Sequence, residues 1–308
     1  MKRVILVSAV LVFAIAVYGF AQMHGMQGRH HVMEKWMNGE DIKADLSGIR
    51  PAENAVTIEA GRQIYNQRCT ACHGVKGDGQ GVHAMDLIVK PTDFTGGTYK
   101  FRSTPSGSLP TDEDIFTTIS LGVRGTAMLP WAMLSDEEKW NVTYYIKSFS
   151  DRFEEEEIET PVTIPAVRAN NEDLINKGMQ VYTRAKCTEC HGSMGRGDGP
   201  KAADLKDDSG VKVIPRNLAA APLKRGSDLN SIYLTLATGL DGTPMASYID
   251  GISAEDLMAL SAYVQALNSN APKGGGMMNM SGDERVGMMV YRHGMQGGMM
   301  QRPMMGNH

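Results

Sequence analysis

The sequence predicts an all-α fold built from two tandem copies of one small helical unit. The 308 residues are enough for about two domains of ordinary size. Residues 55–150 and 172–270 repeat a series of short segments in the same order. Each copy also ends with a capping-box motif that opens a helix, at residues 135–138 and 253–256. The apolar residues of the second such helix recur at helical spacing: Leu257, Leu260, Val264 and Leu267.

The composition excludes several classes of protein. A net charge of -4 lacks the basic excess of a nucleic-acid binder, and 42% hydrophobic residues are too many for a disordered chain. Four cysteines are too few for a disulfide scaffold. The chain has 22 methionines beside 3 Trp, 10 Tyr and 7 Phe, so we expect thioether side chains to fill part of the cores.

The N-terminus predicts export. Residues 1–3 are positively charged, residues 4–17 are apolar apart from Ser8, and residues 19–21 offer small side chains for cleavage. This is the layout of a signal peptide over residues 1–21, which predicts a periplasmic protein without a membrane span. The alternative is an uncleaved anchor facing the periplasm, because residues 4–20 reach the short end of spanning length.

The first copy begins with a helix and then the segment 69–73, which reads Cys-Thr-Ala-Cys-His. Its counterpart, residues 187–191, reads Cys-Thr-Glu-Cys-His. A zinc ribbon would place its cysteine pairs far closer than these, and neither flank has the βαβ pattern of a thioredoxin-like site. A disulfide between cysteines separated by only two residues would stabilise the fold little. The C-x-x-C-H pattern is instead the attachment site of covalent haem, and it occurs twice in a chain predicted to be exported.

The chemistry of haem attachment explains each residue of the pattern. One helical turn brings both thiols to the two vinyl groups, so we predict covalent haem at Cys69 and Cys72, and again at Cys187 and Cys190. The adjacent histidines, His73 and His191, then supply axial nitrogens to the two irons.

Further segments match between the copies before and after each histidine. Glycine-rich loops are followed by proline-bearing loops, short helices and loops of the form Gly-Thr-x-Met. The paired segments are 61–65 with 178–182, 77–79 with 197–199, 91–94 with 215–218, and 122–128 with 239–245.

A methionine is the predicted second axial ligand in each copy. Met128 follows His73 by 55 residues, and Met245 follows His191 by 54. A thioether is a soft ligand that raises the haem potential. Core packing is the alternative role, but both methionines lie in polar, glycine-bearing loops. Met133 competes locally with Met128, yet it has no counterpart in the second copy.

Each unit resembles a class I c-type cytochrome domain, and the pair resembles the tandem di-haem cytochromes of bacterial respiratory chains. The resemblance implies two covalently bound haem c groups and a crossing of the first and last helices at Gly61 and Gly178, with tyrosines packed around it (Tyr65, Tyr144, Tyr145, Tyr182 and Tyr263). It also implies proline-bearing loops whose carbonyls orient the axial histidines, with Pro91 and Pro215 the nearest candidates. Arg102 and Arg225 either meet haem propionates or are solvated surface arginines.

An iron with both axial positions filled has no open position for a substrate, so the sequence predicts an electron-transfer protein and not an enzyme. Its partners would be redox proteins, with donor and acceptor unidentified, and it would act as a carrier or as a subunit of an oxidoreductase complex. The alternatives are a di-haem peroxidase, which leaves one iron open, and a membrane-anchored di-haem subunit of a terminal oxidase.

The remaining segments are predicted from composition. Residues 22–54 form an N-terminal extension, the acidic and proline-bearing residues 151–171 a solvated linker, and the Gly- and Met-rich residues 271–308 a disordered tail. The pentapeptide 24–28 recurs as 293–297, and methionines and histidines crowd both ends. Such soft ligands suit Cu(I), although a flexible tail without a metal role explains the same composition.

Overall fold

The computed structural model describes residues 31–166, 171–219 and 222–269. Over these ranges the regular structure is helical, and the only strand-like pairing is an isolated bridge between Lys206 and Lys212. The predicted all-α fold is confirmed. The predicted signal peptide and the predicted tail lie outside the described residues.

The helices after residue 54 occur as two similar series. The first series is α1 to α4, α5 follows it in the acidic segment, and α6 to α9 form the second series. Their bounds are α1 Ala55–Arg68, α2 Thr70–His73, α3 Asp112–Leu121, α4 Asp136–Lys147, α5 Arg152–Glu155, α6 Glu172–Arg184, α7 Thr188–His191, α8 Leu229–Thr238 and α9 Ala254–Ser269, with 3-10 turns at Ala84–Asp86 and Ala202–Asp204.

The first and last helices of each series cross at a glycine. A Cβ atom on Gly61 of α1 would overlap the carbonyl oxygen of Asn141 in α4, and one on Gly178 of α6 would overlap that of Ala259 in α9. Only glycine allows the two helix backbones to approach this closely. The crossing implied by the family resemblance is therefore present in both series.

Tyrosines pack beside each crossing. The Tyr65 ring lies 5.3 Å from that of Tyr145, edge to face, and Tyr182 lies 5.3 Å from Tyr263 in the same way. Tyr144 belongs to a neighbouring cluster against which Ile58 of α1 packs. It is buried beside Trp140 and donates to the carbonyl of Pro51 at 2.7 Å.

The segments outside the two series pack against them. Trp36 of the N-terminal extension is buried against Leu129, and Asp41 accepts a hydrogen bond from the Ser227 backbone at 2.9 Å. In the acidic segment, the Val162 amide donates to the Ser103 carbonyl at 2.8 Å, and the Val162 side chain packs against the second core. The segment between the two series is therefore anchored to both along its described part.

Candidate functional site

Each C-x-x-C-H segment forms one tight helical turn. The His73 amide donates to the Cys69 carbonyl at 2.9 Å, and the His191 amide donates to the Cys187 carbonyl at the same distance. All four cysteines are free thiols. The turn therefore presents two thiols and an imidazole together, which is the arrangement that covalent haem attachment needs.

Backbone carbonyls orient both imidazoles. The Nδ1 atom of His73 lies 3.2 Å from the carbonyl oxygen of Thr92, and that of His191 lies 3.0 Å from the carbonyl oxygen of Arg216. A carbonyl can only accept, so Nδ1 carries the proton and the Nε2 lone pair is left for iron. Each carbonyl belongs to the residue directly after Pro91 or Pro215, so the proline-bearing loops expected from the resemblance perform this task.

Burial keeps the two histidine imidazoles and the thiols of Cys69 and Cys187 uncharged before any metal binds. Desolvation lowers the pKa of His73 to about 4, against a weaker opposite effect of the hydrogen bond to Thr92, and it also lowers the pKa of His191. Desolvation raises the pKa of the Cys69 thiol to about 12 and that of Cys187 to about 11. At neutral pH the two imidazoles are thus neutral, and the thiols of Cys69 and Cys187 are protonated.

The two methionine loops share one hydrogen-bond pattern. The Met128 carbonyl accepts from the Val123 amide at 2.7 Å, the Thr126 hydroxyl donates to the Val123 carbonyl at 2.7 Å, and the Met128 amide donates to that hydroxyl at 3.1 Å. The equivalent bonds of the second loop join Leu240 to Met245 (2.9 Å), Thr243 to Leu240 (2.6 Å) and Met245 to Thr243 (3.2 Å). The threonine of the Gly-Thr-x-Met motif therefore closes the loop that carries the methionine.

One continuous cavity of about 430 Å³ is bordered by residues of both series. All eight predicted site residues line it: Cys69, Cys72, His73, Met128, Cys187, Cys190, His191 and Met245. The remaining wall is mainly apolar, as a haem ring requires. Met133 does not line the cavity and is 38% exposed, which favours Met128 as the sulfur donor.

A buried polar atom in the wall also fits a haem. The hydroxyl of Tyr99 is buried beside the cavity and has no hydrogen-bond partner among the described residues. Desolvation raises the pKa of this phenol, so the group remains a donor. A buried hydroxyl without an acceptor is rare, and a haem propionate would supply one.

The structure also shows what sequence reasoning missed. The Tyr99 hydroxyl belongs to no motif. Thr92, Arg216, Thr126 and Thr243 lie in the matched segments, but their hydrogen bonds were not predicted, although the recurrence of both threonines was a usable signal.

Neither Arg102 nor Arg225 is a solvated surface arginine. Arg102 is fully buried and donates to protein atoms at the junction of the two series. Arg225 borders the cavity, where it pairs with Asp114 at 3.2 Å and donates to the Arg102 carbonyl.

Within the described ranges no helix is long and apolar enough to cross a bilayer. The same residues hold no cluster of three or more His, Cys, Asp or Glu side chains suited to a metal ion. The copper prediction concerns the methionine- and histidine-rich ends. Residues 1–30 and 270–308 of these ends lie outside the described residues, whereas His31 lies inside them.

Two family models match the chain, one per series. Residues 56–146 match the model for subunit III of cbb3-type cytochrome c oxidase, and residues 175–268 match the cytochrome c model. Both matched ranges contain a C-x-x-C-H turn and a methionine loop.

Curated relatives and a solved structure are also similar to the chain. Subunit CcoP of the cbb3-type cytochrome c oxidase is 24% identical in Azospirillum brasilense, over 69% of this chain, and in Azospirillum sp. (strain B510), over 68%. The chain spans 63% and 62% of the lengths of those relatives. A chain of the reducing HAO-like protein complex of Kuenenia stuttgartiensis is 41% identical, with a TM-score of 0.66, over 68% of this chain and 96% of that one. The present chain thus belongs to the tandem di-haem class I c-type cytochromes, electron-transfer proteins with two covalently bound haem c groups.

Proposed function

We propose that the chain is an exported electron-transfer subunit of a multi-subunit oxidoreductase, with His73 and Met128 on one iron and His191 and Met245 on the other. The observation that carries this proposal is the shared cavity, because both histidine–methionine sets border it. With haem at both sets, this shared cavity would give an electron a route from one haem to the other inside the chain.

The protein's own residues perform four tasks in this function. Haem c supplies an iron that alternates between the ferric and ferrous states. The cysteine thiols tether the group, and the carbonyls of Thr92 and Arg216 fix the imidazole orientation. The methionine sulfurs would supply the second protein ligand of each iron, which would leave no open position for a substrate and make the chain a conduit and not an enzyme. The apolar wall excludes water, which favours the less charged ferrous state.

The comparisons support a subunit over a free carrier. The solved relative belongs to a complex, and both curated relatives are named as oxidase subunits. Its partners would then be other redox proteins of the same assembly. We propose cytochrome c domains over residues 55–150 and 172–270, with residues 1–21 as the export signal.

The first experiment tests the number of haems and their ligands. Mass spectrometry of the native protein should show two haem masses that survive acid–acetone extraction. The near-infrared charge-transfer band of methionine-ligated ferric haem should have the strength of two irons, and Met128→Ala should remove half of it. Met133→Ala is the matched control and should leave the band intact. A high-spin iron in the isolated protein with peroxide turnover would replace this proposal by the peroxidase alternative.

Native copurification tests the assignment as a subunit. The protein extracted from its own periplasm under mild conditions should elute with a larger redox enzyme. Elution as a free 33.5 kDa or smaller species that still exchanges electrons with several soluble proteins would indicate a carrier.

A membrane-anchored oxidase subunit is the second candidate, because the curated relatives are oxidase subunits. Retention of residues 1–21 in the mature protein, with the protein resisting a carbonate wash of the membranes, would favour it. N-terminal sequencing that starts after residue 21 would exclude it.

A further inference from the structure

The two methionine loops differ in charge at one matching position. The first loop reads Val123-Arg124-Gly125-Thr126, and the second reads Leu240-Asp241-Gly242-Thr243. Arg124 and Asp241 therefore occupy equivalent places, each four residues before its methionine. Both side chains make hydrogen bonds to parts of the chain outside their own loops.

Asp241 joins the second loop to the first series. Its carboxylate lies 2.8 Å from the guanidinium of Arg102, and it accepts from the Ser106 hydroxyl and the Gly107 amide, both at 2.8 Å. Arg102 also donates to the carbonyl of Thr238, the last residue of α8, at 2.9 Å. The first series therefore holds both the start of the second methionine loop and the helix end that leads into it.

Arg124 joins the first loop to the N-terminal extension. Its guanidinium donates to the Trp36 carbonyl at 2.6 Å and to the Glu40 carbonyl, and it lies 5.5 Å from the centre of the Trp36 ring. Arg124 is 7% exposed, so these bonds are shielded from water. The extension thus anchors the first methionine loop, as the first series anchors the second.

Glycines give both loops backbone freedom that outside contacts can restrict. Gly122 and Gly125 in the first loop, and Gly239 and Gly242 in the second, all have positive φ between 63° and 74°. Each loop has closing hydrogen bonds of its own, but a thioether is a weak ligand that other donors readily displace. The position of the sulfur therefore depends on what holds the loop from outside.

We propose that Arg124 and Asp241 are positioning residues that hold Met128 and Met245, respectively, by fastening each loop to a neighbouring part of the chain. This proposal rests on the histidine–methionine ligation of the proposed function. It predicts that each anchor acts on one haem only, which a general contribution to stability would not do.

The test uses the holoprotein with Asp241→Ala, the milder Asp241→Asn, and Arg124→Gln. Asp250→Ala, at an exposed aspartate of the second series, is the matched control. Asp241→Ala should remove up to half of the near-infrared band and raise the affinity of one haem for added imidazole about tenfold, the scale of one lost charge-assisted hydrogen bond. One of the two midpoint potentials should fall, while the control shows no change.

The affected haem is identified in single-ligand backgrounds. In Met128→Ala, where only the second haem keeps its methionine, adding Asp241→Ala should abolish the remaining band and adding Arg124→Gln should not. In Met245→Ala the two effects should be exchanged. Asp241→Asn keeps an acceptor for Ser106 and should restore part of the band.

Each outcome separates this proposal from the proposed function. A wild-type protein without the band would overturn the ligand set, and the anchor proposal with it. A two-iron band that persists in Asp241→Ala and Arg124→Gln would overturn the anchors alone. Equal loss at both haems, with both haems still attached, would show general loosening and would also overturn the anchors. Circular dichroism and haem counting confirm that each variant is folded. If Asp241→Ala does not fold, the near-infrared band and the imidazole affinity of Asp241→Asn are measured in its place.

Discussion

The Tyr99 hydroxyl shows how one atom can report on the bound state. It is buried in the cavity wall and has no partner among the described residues. A buried hydroxyl that stays unpaired costs free energy, so its removal should be neutral or stabilising. If a haem propionate accepts its hydrogen bond, removal should instead destabilise the protein. The sign of the change in the free energy of unfolding distinguishes the two cases.

We predict that Tyr99→Phe lowers the free energy of unfolding of the holoprotein by about 1 kcal/mol. The measurement is denaturant unfolding followed at the Soret band. Tyr65→Phe is the matched control, because that hydroxyl has a protein acceptor, the Gly74 carbonyl at 2.9 Å, and its loss should cost a similar amount. A Tyr99→Phe protein as stable as the wild type, or more stable, would show that no propionate reaches this group.

Helix crossings determine where each C-x-x-C-H turn lies, since the turn directly follows the first helix of each series. At the crossing in the second series a methyl group on Gly178 would overlap the Ala259 carbonyl and press on the Tyr263 side chain. The helices would have to separate, and the apolar contacts beneath them would be lost.

Gly178→Ala should therefore destabilise the second domain by about 1–3 kcal/mol, or by more where the backbone cannot shift. Thermal unfolding monitored at the haem absorbance measures the change. Gly251→Ala serves as the control, because no atom lies within 4 Å of a Cβ there and its φ is not positive. Equal stability of the two variants would mean that the close approach of α6 and α9 is not required.

The parts of the fold that could be predicted from sequence are local. The C-x-x-C-H turns and the Gly-Thr-x-Met loops depend on residues a few positions apart, and their recurrence in two copies identified them. The histidine acceptors could not be assigned, because their separations from the histidines differ, at 19 residues for Thr92 and 25 for Arg216. The proline-bearing loops indicated only which segment of the chain holds the acceptor, not which carbonyl it is.

No local sequence pattern predicts the contacts between the two series. The pairing of Arg102 with Asp241 joins residues far apart in the chain, and each looks like an ordinary charged residue of a polar loop. The same holds for Tyr144, whose partner Pro51 belongs to the N-terminal extension. Only the assembled fold shows that this extension covers one side of α4.

At the level of the whole chain, the methionine-rich tail should be dispensable for haem binding. Every proposed iron ligand lies between His73 and Met245. A protein ending at Asn270 should therefore keep both haems and both midpoint potentials, as measured by a redox titration. Cu(I) titration against a competing chelator tests the other role of the tail, and equal uptake by the full and shortened proteins would exclude it.

The final prediction concerns cooperativity between the domains. Arg225 crosses the junction of the two series, bonding to the Asp114 carboxylate and the Arg102 carbonyl, and Arg102 in turn pairs with Asp241. Buried charges linked in this way are costly to separate, because each would lose partners that water replaces poorly. We therefore expect both haem environments of the wild-type protein to be lost in one transition in denaturant.

Arg225→Ala should weaken this coupling by about 2 kcal/mol, the value of charge-assisted hydrogen bonds, and split the transition into two. The two haems are followed separately in Met128→Ala and Met245→Ala backgrounds, whose spectra differ at the altered iron. Arg184→Ala is the matched control, because that exposed arginine pairs with Asp256 inside the second series. Two transitions already present in the wild type would show that the domains unfold independently. The buried charges at the junction would then not couple the two domains.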